Sequence, residues 1–234
     1  MKKYDFELTM NTRDLGGYKT KYQLKTKYLH FIRSDALTFI TEDEKKFLVD
    51  NNVTLVVDFR TPYVVNKIPS PLANDKRFEY HNFPLVEGSG IPLTDSNASE
   101  LYLKMVHNYS VYREVFTLIV NSNRNVIFNC TAGKDRTGIF ACLLLLLAGV
   151  SEKDILDDYE ISTKFIYSSI HKIQKHNKSF PKDLGVSKRV YLEKFLKIFF
   201  EEYQSIENYL SIIGLNQETI EKVKYKLIGD DSDE

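Results

Sequence analysis

The hydrophobic pattern alternates between short β-rich runs and longer stretches with helical spacing. Residues 53–57 are a continuous β-rich run, which suits a parallel strand covered on both faces, and residues 125–129 read as a short buried strand. Residues 28–32 and 79–84 read as two further strands. Residues 99–107 and 111–122 have helical spacing, and Val115, Phe116, Ile119 and Val120 form one stripe of the second. Residues 139–148 are apolar all round, the pattern of a helix buried in the middle of a domain, and Gly149 ends it. Helices are predicted again at 187–203, about 206–213 and 217–227, with Leu192, Phe195, Leu196, Phe199 and Tyr203 as core. This order predicts an α/β fold, a central mostly parallel sheet flanked by helices, with a helical C-terminal portion.

Local signals punctuate these runs. Thr41-Glu42-Asp43-Glu44 is a capping box that opens a helix to about residue 51. Thr61 stands as N-cap before Pro62, and Ser151 opens a helix that runs towards Ser162. Residues 11–18, N-T-R-D-L-G-G-Y, form a polar turn with a double glycine. Between 163 and 176, Phe165, Ile166, Ser169, Ile170 and Ile173 mark one helical face. Lys164, Tyr167, His171, Lys175 and Lys178 mark the other, either a solvated face or a surface for anionic head groups.

Composition narrows the classes. The chain of 234 residues is long enough for a sizeable core, so residues 1–229 are expected to form one domain and the acidic residues 230–234 a disordered tail. Lysine plus arginine and aspartate plus glutamate both number 32, so no net field draws in nucleic acid or an anionic membrane. No apolar segment follows Lys2 and Lys3, and residues 139–150 are too few to span a bilayer. The expectation is a cytoplasmic protein without stable membrane insertion; export and oligomeric state stay open. Two cysteines exclude a disulfide framework, and Cys142 lies within the apolar helix as a core residue.

The candidate chemistry sits at Cys130-Thr131-Ala132-Gly133-Lys134-Asp135-Arg136-Thr137-Gly138, which joins the strand at 125–129 to the apolar helix. Amides of such a loop and of the first helical turn lack intrahelical partners, and the helix dipole adds positive potential, so both favour an anion. Thr131, Ala132, Gly133, Lys134, Asp135 and Arg136 are the expected phosphate-binding residues, with the Arg136 guanidinium able to hold two phosphate oxygens at once. The same field favours the ionised sulfur of Cys130. The reaction this suggests is in-line attack of sulfur on a phosphate monoester, giving a phosphocysteine that water hydrolyses, with no metal and no cofactor.

Departure of the ester oxygen needs a proton donor. Asp135 is favoured, with Asp58 at a strand tip and Asp95 in a loop as outside candidates. Thr137 could hydrogen-bond the sulfur or simply cap the helix. Arg33 could reach a phosphate or pair with an acid, and Lys134 adds a cation suited to substrates with more than one phosphate. A nucleotide P-loop does not fit, because Phe128 stands where its first glycine belongs and Asp135 where a serine or threonine must bind magnesium.

With these motifs the chain resembles the atypical bacterial protein-tyrosine phosphatases of the PtpB-like and LipA-like family. The similar blocks are N-T-R-D-L-G-G-Y at 11, R-S-D at 33, D-F-R-T-P at 58, C-T-A-G-K-D-R-T-G at 130, D-Y-E-I-S at 158 and S-I-E-N-Y-L at 205. The resemblance implies a phosphatase-type α/β fold and removal of phosphate from phosphotyrosine, often also from phosphoserine, phosphothreonine and phosphoinositides. It implies Cys130 as nucleophile, Arg136 as phosphate clamp, Asp135 as acid, and Lys134 at the position linked to phosphoinositides. Two positions depart from the family pattern: Asn129 replaces the usual histidine before the nucleophile, and Val64 the usual glutamate after D-x-R-T-P. They favour the rival reading, a binding module that holds phosphorylated ligands without turning them over. A rhodanese-like or arsenate-reducing thiol enzyme is a third reading, poorly served by Lys134 and Thr137.

Overall fold

Five strands form the central sheet in the order β1-β3-β6-β4-β5, where β1 is Arg13–Asp14, β3 Phe31–Ser34, β4 Val53–Asp58, β5 Glu79–Asn82 and β6 Asn125–Asn129. The computed structural model describes residues 2–86, 91, 93–167 and 186–229. β3, β6, β4 and β5 run parallel, and β1 lies antiparallel at one edge. A second small sheet pairs β2 (Lys25–Thr26) antiparallel with β7 (Ile228–Gly229). The mostly parallel α/β sheet expected from the sequence is therefore present.

Every residue of β4 is buried because both of its faces are covered. Leu55, Val57, Val126 and Phe128 face a large core shared with α3 (Ala98–Val106), α4 (Tyr109–Asn121) and α5 (Asp135–Leu147). The same core takes in α6 (Glu152–Glu160), α8 (Arg189–Tyr203), α9 (Ile206–Ile212) and α10 (Gln217–Leu227); helical residues 162–167 are α7. Val56, Ile127 and Ile32 face a smaller core with Leu48 of α1 (Glu42–Asp50), Tyr4, Leu37 and Phe78. α5 carries no polar stripe, as its sequence predicts. Phe140 at its centre meets Phe128 at 4.9 Å, Phe59 at 5.2 Å and Phe116 at 5.5 Å between ring centroids.

Several boundaries differ from expectation. The capping box at Thr41 and Glu44 forms as predicted. Thr61 precedes α2 (Pro62–Lys67) but makes no side-chain capping bond, so Pro62 alone marks that start. The strand expected at 28–32 begins only at Phe31. Leu29 takes φ 65°, and its N–H donates to Asp14 Oδ2 at 2.8 Å, which turns the chain before pairing begins. Gly229, the last residue of the expected domain, pairs with Lys25; residues 230–234 lie outside the described residues, as do His171, Lys175 and Lys178 of the predicted basic face. No helix among the described residues is long and apolar enough to cross a membrane.

Candidate active site

Three parallel strands deliver their tips to one place. Asn129 at the end of β6 stands opposite Ser34 of β3 and Asp58 of β4, and the chain then turns through residues 130–134 into α5. Cys130 sits at the start of that turn, 3% exposed. Asn129 Nδ2 donates to the Cys130 carbonyl at 3.4 Å, and its own carbonyl accepts from Phe59 N at 2.8 Å, so the residue preceding the sulfur is fixed on two sides.

The loop is held by its carbonyl groups. Thr131 O accepts from Ala36 N at 3.2 Å, Ala132 O from Asn11 Nδ2 at 3.0 Å, and Gly133 O from Asn11 Nδ2 and Arg33 Nη2, each at 2.9 Å. In a trans peptide the following N–H points opposite to the carbonyl, so these bonds turn the amides of Ala132, Gly133 and Lys134 to the other side of the loop. That is how an anion cradle is made from backbone. Gly133 takes φ 64°, and a Cβ there would lie 2.5 Å from Ser34 O and 2.6 Å from Asp35 N, so only glycine lets the loop lie this close to β3.

A buried ion network stands behind these clamps. Asp158 of α6 accepts from Arg33 Nη1 and, at 2.9 Å, from Arg13 Nε. Arg13 Nη2 also donates to Asp158 O at 2.7 Å and Ser162 Oγ at 2.9 Å, and Arg13 Nη1 donates to Asn11. Both guanidinium groups are buried. Burial alone would push the Asp158 carboxyl up, but Arg13 and Arg33 outweigh it and hold the group at about 2. Of the two roles open to Arg33, pairing with an acid is the one present: its Nη1 donates to Asp158 and its Nη2 to Gly133 O, which braces the loop from behind.

The remaining predicted residues lie around the loop. Arg136 Nη1 donates to Phe59 O at 3.1 Å, and its Nη2 lies 3.5 Å from Thr131 Oγ1, so the guanidinium bridges the loop and the end of β4. Thr137 lies inside α5, with Lys134 at the N-cap position, so it is not the cap; its buried hydroxyl has no hydrogen-bond partner among the described residues. Asp135 is partly exposed, with Oδ1 accepting from Tyr102 Oη at 2.6 Å and Oδ2 lying 3.3 Å from Lys134 Nζ. Lys134 is itself buried, and Nζ also reaches Val186 O at 3.3 Å.

The outside acid candidates are engaged elsewhere. Asp58 is a fully buried partner of Arg60, bonded through both carboxylate oxygens, and also accepts from Tyr80 Oη at 2.8 Å, so its strand tip adjoins Cys130 while its charge serves β4. Asp95 pairs with Lys188 at 2.9 Å, and that hydrogen bond lowers its carboxyl. Val64 lies on α2, which has no buried residue, and Arg60 instead donates to Ile68 O at 2.9 Å. Cys142 is buried within α5, and burial pushes its thiol well up, as befits a core residue. Among the described residues no cluster of three or more His, Cys, Asp or Glu could hold a metal ion.

Residues 4–229 match the family model described as the tyrosine phosphatase family. The chain belongs to that family. This tyrosine phosphatase family member is 30% identical over 189 residues to a tyrosine-protein phosphatase of Nostoc commune, covering 73% of this chain and 64% of that protein. It is 29% identical over 167 residues to a putative tyrosine-protein phosphatase of Cupriavidus necator, covering 66% of this chain and 60% of the relative. The chain thus spans less than two thirds of the length of either relative. Among solved structures it is similar to P. aeruginosa TpbA, with 12% identity, a TM-score of 0.40, and coverage of 82% of this chain and 91% of TpbA.

Sequence reasoning did not assign Asn11, Arg13, Asp158, Tyr102 or Tyr159 to the site. The first three, with Tyr159, fall in the polar blocks at 11 and 158, and a buried Arg and Asp in two such blocks are complementary charges in search of one another. Tyr102 carries no such signal, because on a helical stripe it reads as core.

Proposed function

We propose that this tyrosine phosphatase family member hydrolyses phosphotyrosine through a phosphocysteine intermediate, with no metal or cofactor. The observation that carries the reading is Cys130 at the mouth of a loop whose carbonyls are tied back by Asn11, Arg33 and Ala36, beside the Arg136 guanidinium. The loop amides and Arg136 hold the phosphoryl oxygens, which suits a reaction governed by positioning and charge stabilisation. Cys130 Sγ attacks phosphorus, the ester oxygen leaves with the proton of Asp135, and water then cleaves the S–P bond. The unpartnered Thr137 hydroxyl can donate to the departing sulfur in that second step.

The reading predicts turnover of p-nitrophenyl phosphate in EDTA that is lost in Cys130→Ser while phosphate binding remains. Tight binding with no turnover in the wild type would leave the binding-module reading, which Asn129 and Val64 favour. Asp135→Asn should cost kcat/KM far more on phenyl phosphate, a poor leaving group, than on p-nitrophenyl phosphate; Asp95→Asn showing that pattern instead would move the acid. Extension to phosphoserine, phosphothreonine and phosphoinositides rests on Lys134. Because its ammonium already lies against Asp135 and Val186 O, a second phosphate must draw it away from both, and we therefore place phosphotyrosine first. Lys134→Ala should weaken inositol phosphate turnover more than phosphotyrosine turnover if that extension holds.

A further inference from the structure

The proton donor has a built seat. Tyr102 of α3 donates to Asp135 Oδ1 at 2.6 Å, and the Tyr159 hydroxyl of α6 lies 2.5 Å from the Tyr102 hydroxyl. With the Tyr102 proton committed to the carboxylate, Tyr159 must be the donor to Tyr102, which gives a chain from Tyr159 to Tyr102 to Asp135. Both rings are buried, meet edge to face at 6.1 Å, and Tyr102 is held on another side by Phe195 at 6.1 Å. Burial first, and the Asp135 charge second, push both phenols well above their ordinary range, so they remain neutral donors at any working pH. Tyr102 and Asp135 come from α3 and α5, with Tyr159 on α6 behind them, so three helices converge on one carboxyl group.

We propose that Tyr102, backed by Tyr159, is a positioning residue for the acid step: it pins Asp135 Oδ1 so that Oδ2 is the oxygen that carries and delivers the proton. The inference rests on the reading of Asp135 as acid. As the Sγ–P bond forms and the P–O ester bond breaks, the leaving oxygen takes the proton from Oδ2, and negative charge appears on Asp135. The Tyr102 hydroxyl, already aimed at Oδ1, and the Lys134 ammonium, 3.3 Å from Oδ2, receive that charge without rearrangement. A hydrogen bond to the charged form is the stronger one, so the contact grows as the proton departs. The arrangement matters most when the leaving group is too basic to depart unprotonated.

The test is a leaving-group comparison in a double-mutant cycle. Tyr102→Phe, which removes one oxygen from the core, should lose about tenfold more kcat/KM on phenyl phosphate than on p-nitrophenyl phosphate, a fraction of the roughly 10²- to 10⁴-fold a general acid supplies. In the Asp135→Asn background the same substitution should cause no further discrimination, because the group it positions is gone. Tyr159→Phe should show the same selectivity at smaller size, and it carries the test if Tyr102→Phe fails to fold. Equal losses on both esters, or selectivity that persists undiminished beside Asp135→Asn, would overturn the positioning role. If Asp135→Asn alone shows no leaving-group dependence, it is the assignment of the acid that fails.

Discussion

At the scale of single residues, Asp158 shows how a side chain outside the phosphate loop governs it. It links two buried guanidinium groups, one of which holds the Gly133 carbonyl. Asp158→Asn removes the charge and leaves both arginines uncompensated, which for a buried pair costs about 3–5 kcal/mol. Because the folded carboxyl sits at about 2, below its unfolded value near ~3.9, its contribution is complete above about pH 4 and is lost as pH falls through about 2. The difference in unfolding free energy between wild type and Asp158→Asn should therefore be widest above about pH 4 and narrow towards about pH 2. Urea titrations across that range check it, and a constant gap would mean that packing rather than charge is at stake. At this scale the sequence was legible where chemistry is contiguous: Cys130 to Thr137 announce themselves as one motif. Asn11, Arg13 and Asp158 do not, because their pairing is created by the sheet and by α6. Asp58 looked available only because its partner Arg60 lies two residues away on the same strand tip.

At the scale of elements, patterns that depend on local physics were legible. The capping box at Thr41, the doubly covered β4 and the all-round apolar α5 each formed where their residues said they would. Failures came where a distant contact reset a boundary. A Cβ on Gly16 would lie 2.6 Å from the Tyr28 Cα and Gly17 takes φ 85°, so both positions need glycine, and Leu29 at φ 65° delays the strand beyond Tyr28. α5 is the element on which the site's orientation depends most, since it carries the loop's last residues on a helix clamped by Phe128, Phe59 and Phe116 around Phe140. Phe140→Ala should destabilise the protein by about 3–5 kcal/mol. Thermal unfolding measures it, and a loss below about 1 kcal/mol would mean that the helix is held by something other than this cluster.

At the scale of the molecule, the sheet separates two cores, and the site lies at the carboxyl ends of its parallel strands, where open α/β sheets collect function. The chain also closes on itself through β7, whose Ile228 is buried and pairs with Thr26. Against a chain ending at Gly229, one ending at Leu227 loses this pairing and about 1.5–3 kcal/mol of apolar burial. Its melting temperature should fall by roughly 3–10 °C, while p-nitrophenyl phosphate turnover below the transition changes little. An unchanged melting temperature would make β7 ornamental. The sequence could not foresee β7, because two residues after a helix carry no strand period. The grip of Asn11 and Arg33 on the rear of the cradle also bears on how damage spreads. Inactivating lesions in a random library should gather at the N-terminal segment and α6 as well as at the nonapeptide.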